Sequence, residues 1–172
     1  MAPRFNVLFV CVGNSCRSQM AEALATRPGQ ERVRAWSAGS RPAGVISTVA
    51  QNVMREEGLS MDGQWSKGLE EVQVAEMDVV VTMGCEVECP MPKGFTGRLV
   101  EWNIPDPGDE LQLGREVRGL IERQVTALLA ELQGQPKAAP CLTQGDFPTR
   151  TTSVSANAHF SPRNCKRLSL PA

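Results

Sequence analysis

The sequence predicts an α/β fold of three layers, in which a four-stranded parallel sheet lies between layers of helices. Two short runs, residues 5–11 and 78–83, are predominantly apolar, which is typical of strands buried on both faces of a parallel sheet. Stretches with helical periodicity separate the strands, and this alternation indicates right-handed crossovers that place helices on both faces. A domain of this length is large enough to bury such a core.

Strands and helices are predicted to alternate along most of the chain. In order, we expect a strand over 5–11, a helix over 17–26, a strand over 33–37, a helix over 43–57, a short helix over 69–75, strands over 78–83 and 97–102, and a helix over 110–132. Turn residues mark the boundaries, since Pro28 and Gly29 end the first helix and Gly58 caps the second. The last helix is the longest, and its apolar residues recur at helical spacing.

Composition excludes several classes of function. The net charge of −1 predicts no affinity for nucleic acids or anionic membranes. No stretch approaches the roughly 20 apolar residues of a membrane span, and no signal-peptide pattern is present, so we expect a cytoplasmic protein. We separately expect it to act as a monomer. In a reducing compartment the six cysteines are expected to be buried, metal-bound or catalytic, not paired in a disulfide framework.

The character of the chain changes after the last predicted helix. Residues 134–172 contain five Lys/Arg and one Asp, are rich in Ser, Thr, Pro and Asn, and show little periodicity. We therefore expect a folded domain over 1–133 and a basic, poorly ordered tail over 134–172. Cys141 and Cys165 lie in this tail and are assigned no role.

The loop over 11–18, Cys-Val-Gly-Asn-Ser-Cys-Arg-Ser, joins the first strand to the first helix. Such a loop can direct successive backbone N–H groups at one oxyanion, as nests and helix N-termini do. Cys11 lies at its base, and Arg17 closes it with a planar fork that can bind two oxygens of a tetrahedral anion. The same donors and the helix dipole favour the thiolate of Cys11. The pattern therefore predicts a site that both binds an oxyanion and attacks it.

The other residues of this loop are expected to bind the anion with their backbone and to hold the shape of the loop. The predicted oxyanion-binding residues are Val12, Gly13, Asn14, Ser15, Cys16, Arg17 and Ser18. Asn14 can adopt a left-handed turn, and the Ser18 hydroxyl can donate to the Cys11 thiolate or cap the helix. Cys16 is interpreted as filling space and not as a second nucleophile.

Asp106 lies between Pro105 and Pro107, shortly before the last helix. A carboxylate on this restricted backbone, placed over the oxyanion, could protonate the leaving oxygen as a general acid. An exposed, turn-forming Asp is the alternative, and Asp109 is the competing carboxylate. Because the chain also contains the Cys-x5-Arg loop, we favour the catalytic role.

Cys85 and Cys89 follow the third strand with Cys-x3-Cys spacing. Such a pair can form a short-loop disulfide after local rearrangement, which suits thiol–disulfide exchange. A zinc site would need more ligands, and the single His lies in the tail; two incidental thiols are the other alternative. Cys11, Ser37, Cys85 and residues 103–106 all follow the carboxyl ends of strands, where open α/β sheets bind their ligands.

These residues resemble the low-molecular-weight protein tyrosine phosphatase superfamily. The resemblance rests on the loop over 11–18 after a strand and on Asp106-Pro107 before the last helix, and it covers about residues 4–133. The Thr-Met-Gly-Cys-x3-Cys-Pro stretch that contains Cys85 and Cys89 is similar to the thioredoxin-coupled arsenate reductases built on that fold. The resemblance implies a flavodoxin-like winding of the sheet.

The resemblance also implies a reaction. The Cys11 thiolate would attack the arsenic of arsenate, held by the loop amides and Arg17, while Asp106 protonates the departing oxygen. Cys85 would then attack Cys11 and release arsenite. Cys89 would next attack Cys85 and move the disulfide outward to Cys85–Cys89, where a thioredoxin-type protein reduces it. Phosphate and sulfate are expected to compete with arsenate for the loop.

A monovalent cation site behind the loop is a further hypothesis. Asn14, Glu22 and Ser37 could contribute to it, although a helix-surface Glu and a strand-end Ser are the simpler interpretation. The resemblance implies such a site only for some relatives and the match is incomplete, so potassium is optional. No tightly bound cofactor is expected.

A phosphotyrosine phosphatase is the main alternative function. It would use Cys11, Arg17 and Asp106 unchanged, with water in place of Cys85. Phosphatases of this family usually carry aromatic residues beside the general acid, whereas here Asp106 is followed by Pro-Gly-Asp and the chain has no Tyr. The cysteine pair therefore favours an arsenate reductase with a role in arsenic detoxification. A non-catalytic oxyanion or redox sensor is a third hypothesis, and glutathione, mycothiol or glutaredoxin-type reductants are alternatives to thioredoxin.

Overall fold

The structure, a computed structural model, describes residues 4–27, 32–84 and 95–135 of the chain. All of these residues belong to the first of the two units into which the chain divides, Met1–Ala138. Cys85, Cys89 and nearly all of the predicted tail lie outside the described residues. The predicted domain boundary after residue 133 therefore stays a prediction.

The described residues form a four-stranded parallel sheet and three α-helices. In chain order the elements are β1 (Phe5–Cys11), α1 (Arg17–Ala25), β2 (Val33–Gly39), α2 (Thr48–Glu56), β3 (Val79–Met83), β4 (Arg98–Trp102) and α3 (Leu111–Gly134). The strand order is β2-β1-β3-β4, and all pairs are parallel, which confirms the predicted fold class and a flavodoxin-like winding. None of the described helices is long and apolar enough to cross a bilayer.

β1 is an interior strand of the sheet and pairs with β2 on one side and with β3 on the other. Its register places Cys11 beside Gly39 of β2 and Val10 beside Thr82 of β3. Since β2 and β3 lie on opposite sides of β1, the order in which strands are added to the sheet changes direction between β1 and β3. The loop after β1 and the end of β3 therefore flank the crevice in which such sheets bind ligands.

The core has two parts, one on each face of the sheet. Val7 and Phe9 of β1 belong to the larger cluster, which all three α-helices cover, whereas Leu8 and Val10 point to the smaller cluster on the opposite face. On the face of the sheet that carries the smaller cluster, the described part of the outer layer consists of two 3₁₀ turns, Leu69–Glu71 and Val74–Glu76. Three layers are thus confirmed, but the second outer layer contains no α-helix among the described residues.

The predicted short helix over 69–75 is wrong, and Val72 explains the difference. Its backbone is extended, with φ −121° and ψ 137°, so that it separates the two 3₁₀ turns. Val72 packs against the smaller cluster and Val74 is buried within it. A spacing of two residues is that of a strand, and it cannot bring both side chains to the sheet from one α-helix.

The predicted helix over 43–57 begins later than expected, at Thr48. Residues 40–47 instead run beside the loop over 11–18, and four of their N–H groups donate to carbonyls of residues 11–15. An α-helix would have turned those N–H groups along its own axis. Tertiary hydrogen bonding therefore overrides local helix propensity at this position.

The α2 and α3 helices approach closely at Gly114. A Cβ atom at Gly114 would collide with Cγ1 of Val49, so only glycine allows this separation of the two helix backbones. Gly119, one to two turns further along α3, faces more open space, and a Cβ there would lie 3.7 Å from the nearest atom, Nη1 of Arg123.

Candidate active site

The loop between β1 and α1 is held in place by hydrogen bonds to its carbonyl oxygens. The carbonyls of Val12, Gly13 and Ser15 each accept a bond of 2.9 Å from the backbone N–H groups of 41–47. The hydroxyl of Ser66 donates a further bond of 3.0 Å to the Gly13 carbonyl. Because the carbonyls point outward to these donors, the N–H groups between them point to the opposite, concave side of the loop.

The N–H groups of residues 14–17 donate to no other residue in the described part of the chain. They lie at the N-terminus of α1, where the helix dipole also favours negative charge. Asn14 makes the turn possible with a left-handed backbone, φ 44°. Its buried Oδ1 accepts bonds from the Lys67 N–H at 2.8 Å and from Gln19 Nε2 at 2.9 Å. The concave side of this loop, which we call the oxyanion cradle, therefore has the donors and the dipole that could hold an oxyanion.

Cys11 lies at the base of this cradle and is buried. Its Sγ is 3.0 Å from Oγ of Ser18, and Nδ2 of Asn14 donates to the same Oγ at 2.9 Å. Since Asn14 occupies an acceptor position of the hydroxyl, the Ser18 hydrogen is available to donate to the Cys11 sulfur. Ser18 does not act as a helix cap, because α1 has Cys16 at its N-cap position and no capping side-chain bond.

Cys16 differs from Cys11 in its surroundings. Burial, together with the negative charges of Asp106 and Cys11, raises the pKa of the Cys16 thiol to about 12. The thiol therefore stays protonated at neutral pH and is a poor nucleophile. This agrees with the interpretation that Cys16 fills space.

Arg17 and Asp106 meet at the mouth of the cradle. Nη2 of Arg17 donates to Oδ2 of Asp106 at 2.7 Å, and Nη1 donates to the Ile104 carbonyl at 3.1 Å. Arg17 is buried, whereas the Asp106 side chain is 63% exposed. The second carboxylate oxygen of Asp106 accepts a bond of 3.0 Å from the Gly108 N–H, which fixes the orientation of the carboxylate. The segment before α3 thus holds the guanidinium of Arg17.

Gly84 confines Arg17 from the other side. It directly follows β3 and has φ 63°, and a Cβ at this position would lie 2.5 Å from Nη1 of Arg17. Gly84 is the last described residue before the gap at 85–94. Cys85, predicted to attack Cys11, and its predicted partner Cys89 lie outside the described residues, so that their roles stay predictions.

These side chains line one cavity of about 220 Å³. The lining residues are Cys11, Gly13, Ser15, Cys16, Arg17, Ser47, Asp106, Gly108 and Asp109. Both candidate carboxylates thus lie at the same cavity, but of the two only Asp106 forms an ion pair with Arg17 among the described residues. The sequence-predicted nucleophile, anion-binding arginine and acid are brought together here. Ser47 is a residue that sequence reasoning missed.

A second polar cluster lies behind the loop, and we call Glu22, Ser37, Trp65 and Lys67 the rear cluster. Ser37 Oγ donates to Oε2 of Glu22 at 2.5 Å. The Lys67 ammonium lies 3.5 Å from Oε2 of Glu22, 3.5 Å from Oγ of Ser37 and 3.4 Å from the Trp65 carbonyl. Lys67 is only 5% exposed. Sequence reasoning missed it, because its Trp-Ser-Lys-Gly context has no local signature of a buried charge.

Comparison with known proteins agrees with this geometry. The family model described as low molecular weight phosphotyrosine protein phosphatase matches residues 6–138. A Synechocystis protein named glutaredoxin arsenate reductase is 38% identical over 129 residues, 73% of this chain and 97% of the relative. A solved structure described as an arsenate reductase in the phosphate binding state is 35% identical, with a TM-score of 0.68, and the match covers 74% of this chain and 98% of that one. A Corynebacterium glutamicum thioredoxin-dependent arsenate reductase is 32% identical, with a TM-score of 0.64, over 76% of this chain and 63% of that one.

Proposed function

Because this chain belongs to the low molecular weight phosphotyrosine protein phosphatase family, we propose that it uses the oxyanion cradle to reduce arsenate to arsenite. The observation that carries the proposal is the buried Cys11 sulfur, 3.0 Å from the Ser18 hydroxyl, beneath N–H groups that have no other described partner. The names of the matching relatives and the cysteine pair of the sequence support reduction over hydrolysis. Detoxification of arsenic would be the role of this reaction.

In the first step the Cys11 thiolate attacks arsenic and forms a sulfur–arsenic bond. The N–H groups of 14–17 and the fork of Arg17 hold the remaining oxygens. A hydroxyl oxygen of arsenate leaves as water after Asp106 donates a proton to it. Arg17 has to turn its terminal nitrogens from Asp106 to the anion, and this movement frees the exposed carboxylate to take up that proton from solvent before it donates it.

In the second step the Cys85 thiolate attacks the Cys11 sulfur. The electron pair of the sulfur–arsenic bond passes to arsenic, which leaves as arsenite, and a Cys11–Cys85 disulfide forms. Cys89 then attacks Cys85, which frees Cys11 and leaves a Cys85–Cys89 disulfide. A thioredoxin-type dithiol supplies the two electrons that reduce this disulfide. Glutaredoxin is the competing donor, since relatives of both kinds match the chain.

The test is arsenate turnover by the full chain with thioredoxin, thioredoxin reductase and NADPH. We expect sustained NADPH oxidation that Cys85→Ser and Cys89→Ser abolish, while Cys141→Ser, a matched thiol removal in the predicted tail, retains it. Mass spectrometry after one turnover without reductant should find a Cys85–Cys89 disulfide. Sustained turnover by Cys85→Ser would show that the relay is wrong.

The phosphatase alternative predicts a different set of results. Hydrolysis of an aryl phosphate needs Cys11, Arg17 and Asp106 but not Cys85, so it should survive in Cys85→Ser. Aryl phosphate hydrolysis without any arsenate turnover would identify a phosphatase. Arsenate turnover that needs glutathione and glutaredoxin would retain the reductase and replace only the reductant.

A further inference from the structure

The rear cluster contains a buried charge pair that the proposed chemistry does not use. The Glu22 and Lys67 side chains are 16% and 6% exposed, and no Arg of the described residues pairs with Glu22. A buried carboxylate without a compensating cation is strongly destabilising. The Lys67 ammonium therefore supplies the charge that this part of the fold requires.

The groups around the ammonium are those that bind a monovalent cation. Besides the Trp65 ring, whose centroid lies 4.7 Å from Nζ, they are a carboxylate oxygen of Glu22, a hydroxyl oxygen of Ser37 and the Trp65 carbonyl oxygen, at 3.4 to 3.5 Å. Hard cations prefer such oxygen ligands. An ammonium group and a potassium ion carry the same charge and are similar in size, so either could satisfy these oxygens.

The rear cluster is connected to the nucleophile by a short chain of hydrogen bonds. The Lys67 carbonyl accepts from the Gly39 N–H at 2.9 Å, and the Lys67 N–H donates to Oδ1 of Asn14 at 2.8 Å. Nδ2 of Asn14 then donates to Oγ of Ser18, which contacts the Cys11 sulfur. The backbone position of residue 67, together with Gln19 Nε2, which donates to the same Oδ1 at 2.9 Å, thus sets which way the Asn14 amide points.

We propose that the Lys67 ammonium is a built-in substitute for a monovalent cation and positions Asn14, so that the oxyanion cradle of this protein forms without potassium. The cation site expected at Asn14, Glu22 and Ser37 does not fit a free ion, because Nζ of Lys67 already lies within 3.5 Å of two of these side chains. Lys67 is a positioning residue that acts through Asn14. The inference rests on the proposed function only in that the cradle binds an oxyanion.

The experiment compares Lys67→Ala and Lys67→Met with the unchanged full chain in potassium chloride and in choline chloride at equal ionic strength. The readouts are the Tm and the rise in Tm caused by inorganic phosphate. In choline we expect both variants to have a Tm about 6–12 °C lower, because Glu22 loses its partner. Potassium should restore most of the loss, and the effect of phosphate, in Lys67→Ala, whose shortened side chain leaves room for the ion. It should not restore Lys67→Met, whose stem fills that room.

Two controls separate a specific site from general salt effects. Arg115→Ala breaks a surface ion pair with Glu56, where both side chains are about two-fifths exposed, and should respond equally to both salts. The double variant Lys67→Met with Glu22→Gln removes both charges and should fold and bind phosphate better than Lys67→Met alone. This variant keeps the test decisive if Lys67→Ala does not fold in either salt.

Several results would overturn the inference. One is a rise in Tm or in turnover of the unchanged chain that potassium causes and choline does not. Others are equal rescue of Lys67→Ala by both cations, or a double variant no more stable than Lys67→Met. None of the thermal readouts requires arsenate reduction, so an unchanged chain without arsenate turnover would refute the proposed function and leave this inference standing.

Discussion

Gly84→Ala is expected to damage the anion site from a position that touches no substrate. The new Cβ would lie 2.5 Å from Nη1 of Arg17, well inside the contact distance of two heavy atoms. The guanidinium cannot move aside without cost, because it is bonded to the Ile104 carbonyl at 3.1 Å and to Asp106 at 2.7 Å. Arg17 therefore has to leave the position from which it can turn its terminal nitrogens toward the anion.

Two separate costs follow from this substitution. An alanine at φ 63° destabilises the fold by about 1–2 kcal/mol, since the left-handed region disfavours a Cβ. Displacement of Arg17 removes a charge-assisted hydrogen bond to the anion, worth about 1.5–3 kcal/mol. The second cost corresponds to phosphate binding that is weaker by about 10- to 150-fold.

Gly58→Ala is the matched control. Gly58 has a nearly equal backbone angle, φ 69°, but no atom lies within 4 Å of the position of its Cβ. Urea unfolding should show a similar loss of stability in both variants, whereas calorimetric titration with phosphate should show weaker binding only in Gly84→Ala. Phosphate binding by Gly84→Ala as tight as that of the unchanged chain would refute the idea that Gly84 confines the guanidinium.

Three further predictions concern the thiols and the helix packing. Ser18→Ala should slow alkylation of Cys11 by iodoacetamide at neutral pH by about 10-fold, because the thiolate loses a donor; an unchanged rate would argue against that donation. Since its pKa of about 12 leaves Cys16 almost entirely protonated at pH 8, peptide mapping should find that iodoacetamide modifies Cys11 before Cys16. Modification of Cys16 before Cys11 would contradict the raised pKa of Cys16. Urea unfolding should show Gly114→Ala destabilised by about 1–3 kcal/mol through its collision with α2, whereas Gly119→Ala gains up to about 1 kcal/mol of helix propensity; equal effects would contradict the close approach of the helices.

The parts of the fold that sequence predicted best are those in which local pattern and burial agree. β1 and β3 are predominantly apolar runs, and both formed within one residue of the predicted bounds. The shape of the loop after β1 could be predicted equally well, because few local structures need a cysteine, an Asn in a left-handed turn and an arginine at these spacings. The ion pair of Arg17 with Asp106 follows from sheet topology, which brings both segments to the same edge.

The errors arose where distant partners decided the local structure. α2 began at Thr48 because the preceding segment donates its N–H groups to another loop, and no local pattern records that demand. Lys67 is buried because its ammonium contacts Glu22 of α1 and Ser37 of β2, which are distant in sequence. The sequence around Lys67 itself resembles that of an ordinary surface loop.

The ion pair between Arg17 and Asp106 makes anion binding an exchange reaction. An incoming dianion has to outcompete a carboxylate that already holds the guanidinium at 2.7 Å, so that weakly charged molecules gain little from entering the cradle. In an arsenate reductase, Asp106 would compete again for the guanidinium of Arg17 once arsenite has formed. Arsenite is uncharged at neutral pH and could not retain the guanidinium of Arg17. An Asp106 that acts as the proposed general acid would bind this guanidinium again once it had given up its proton. The internal carboxylate would thereby act as a counter-ligand that admits the charged substrate and expels the neutral product.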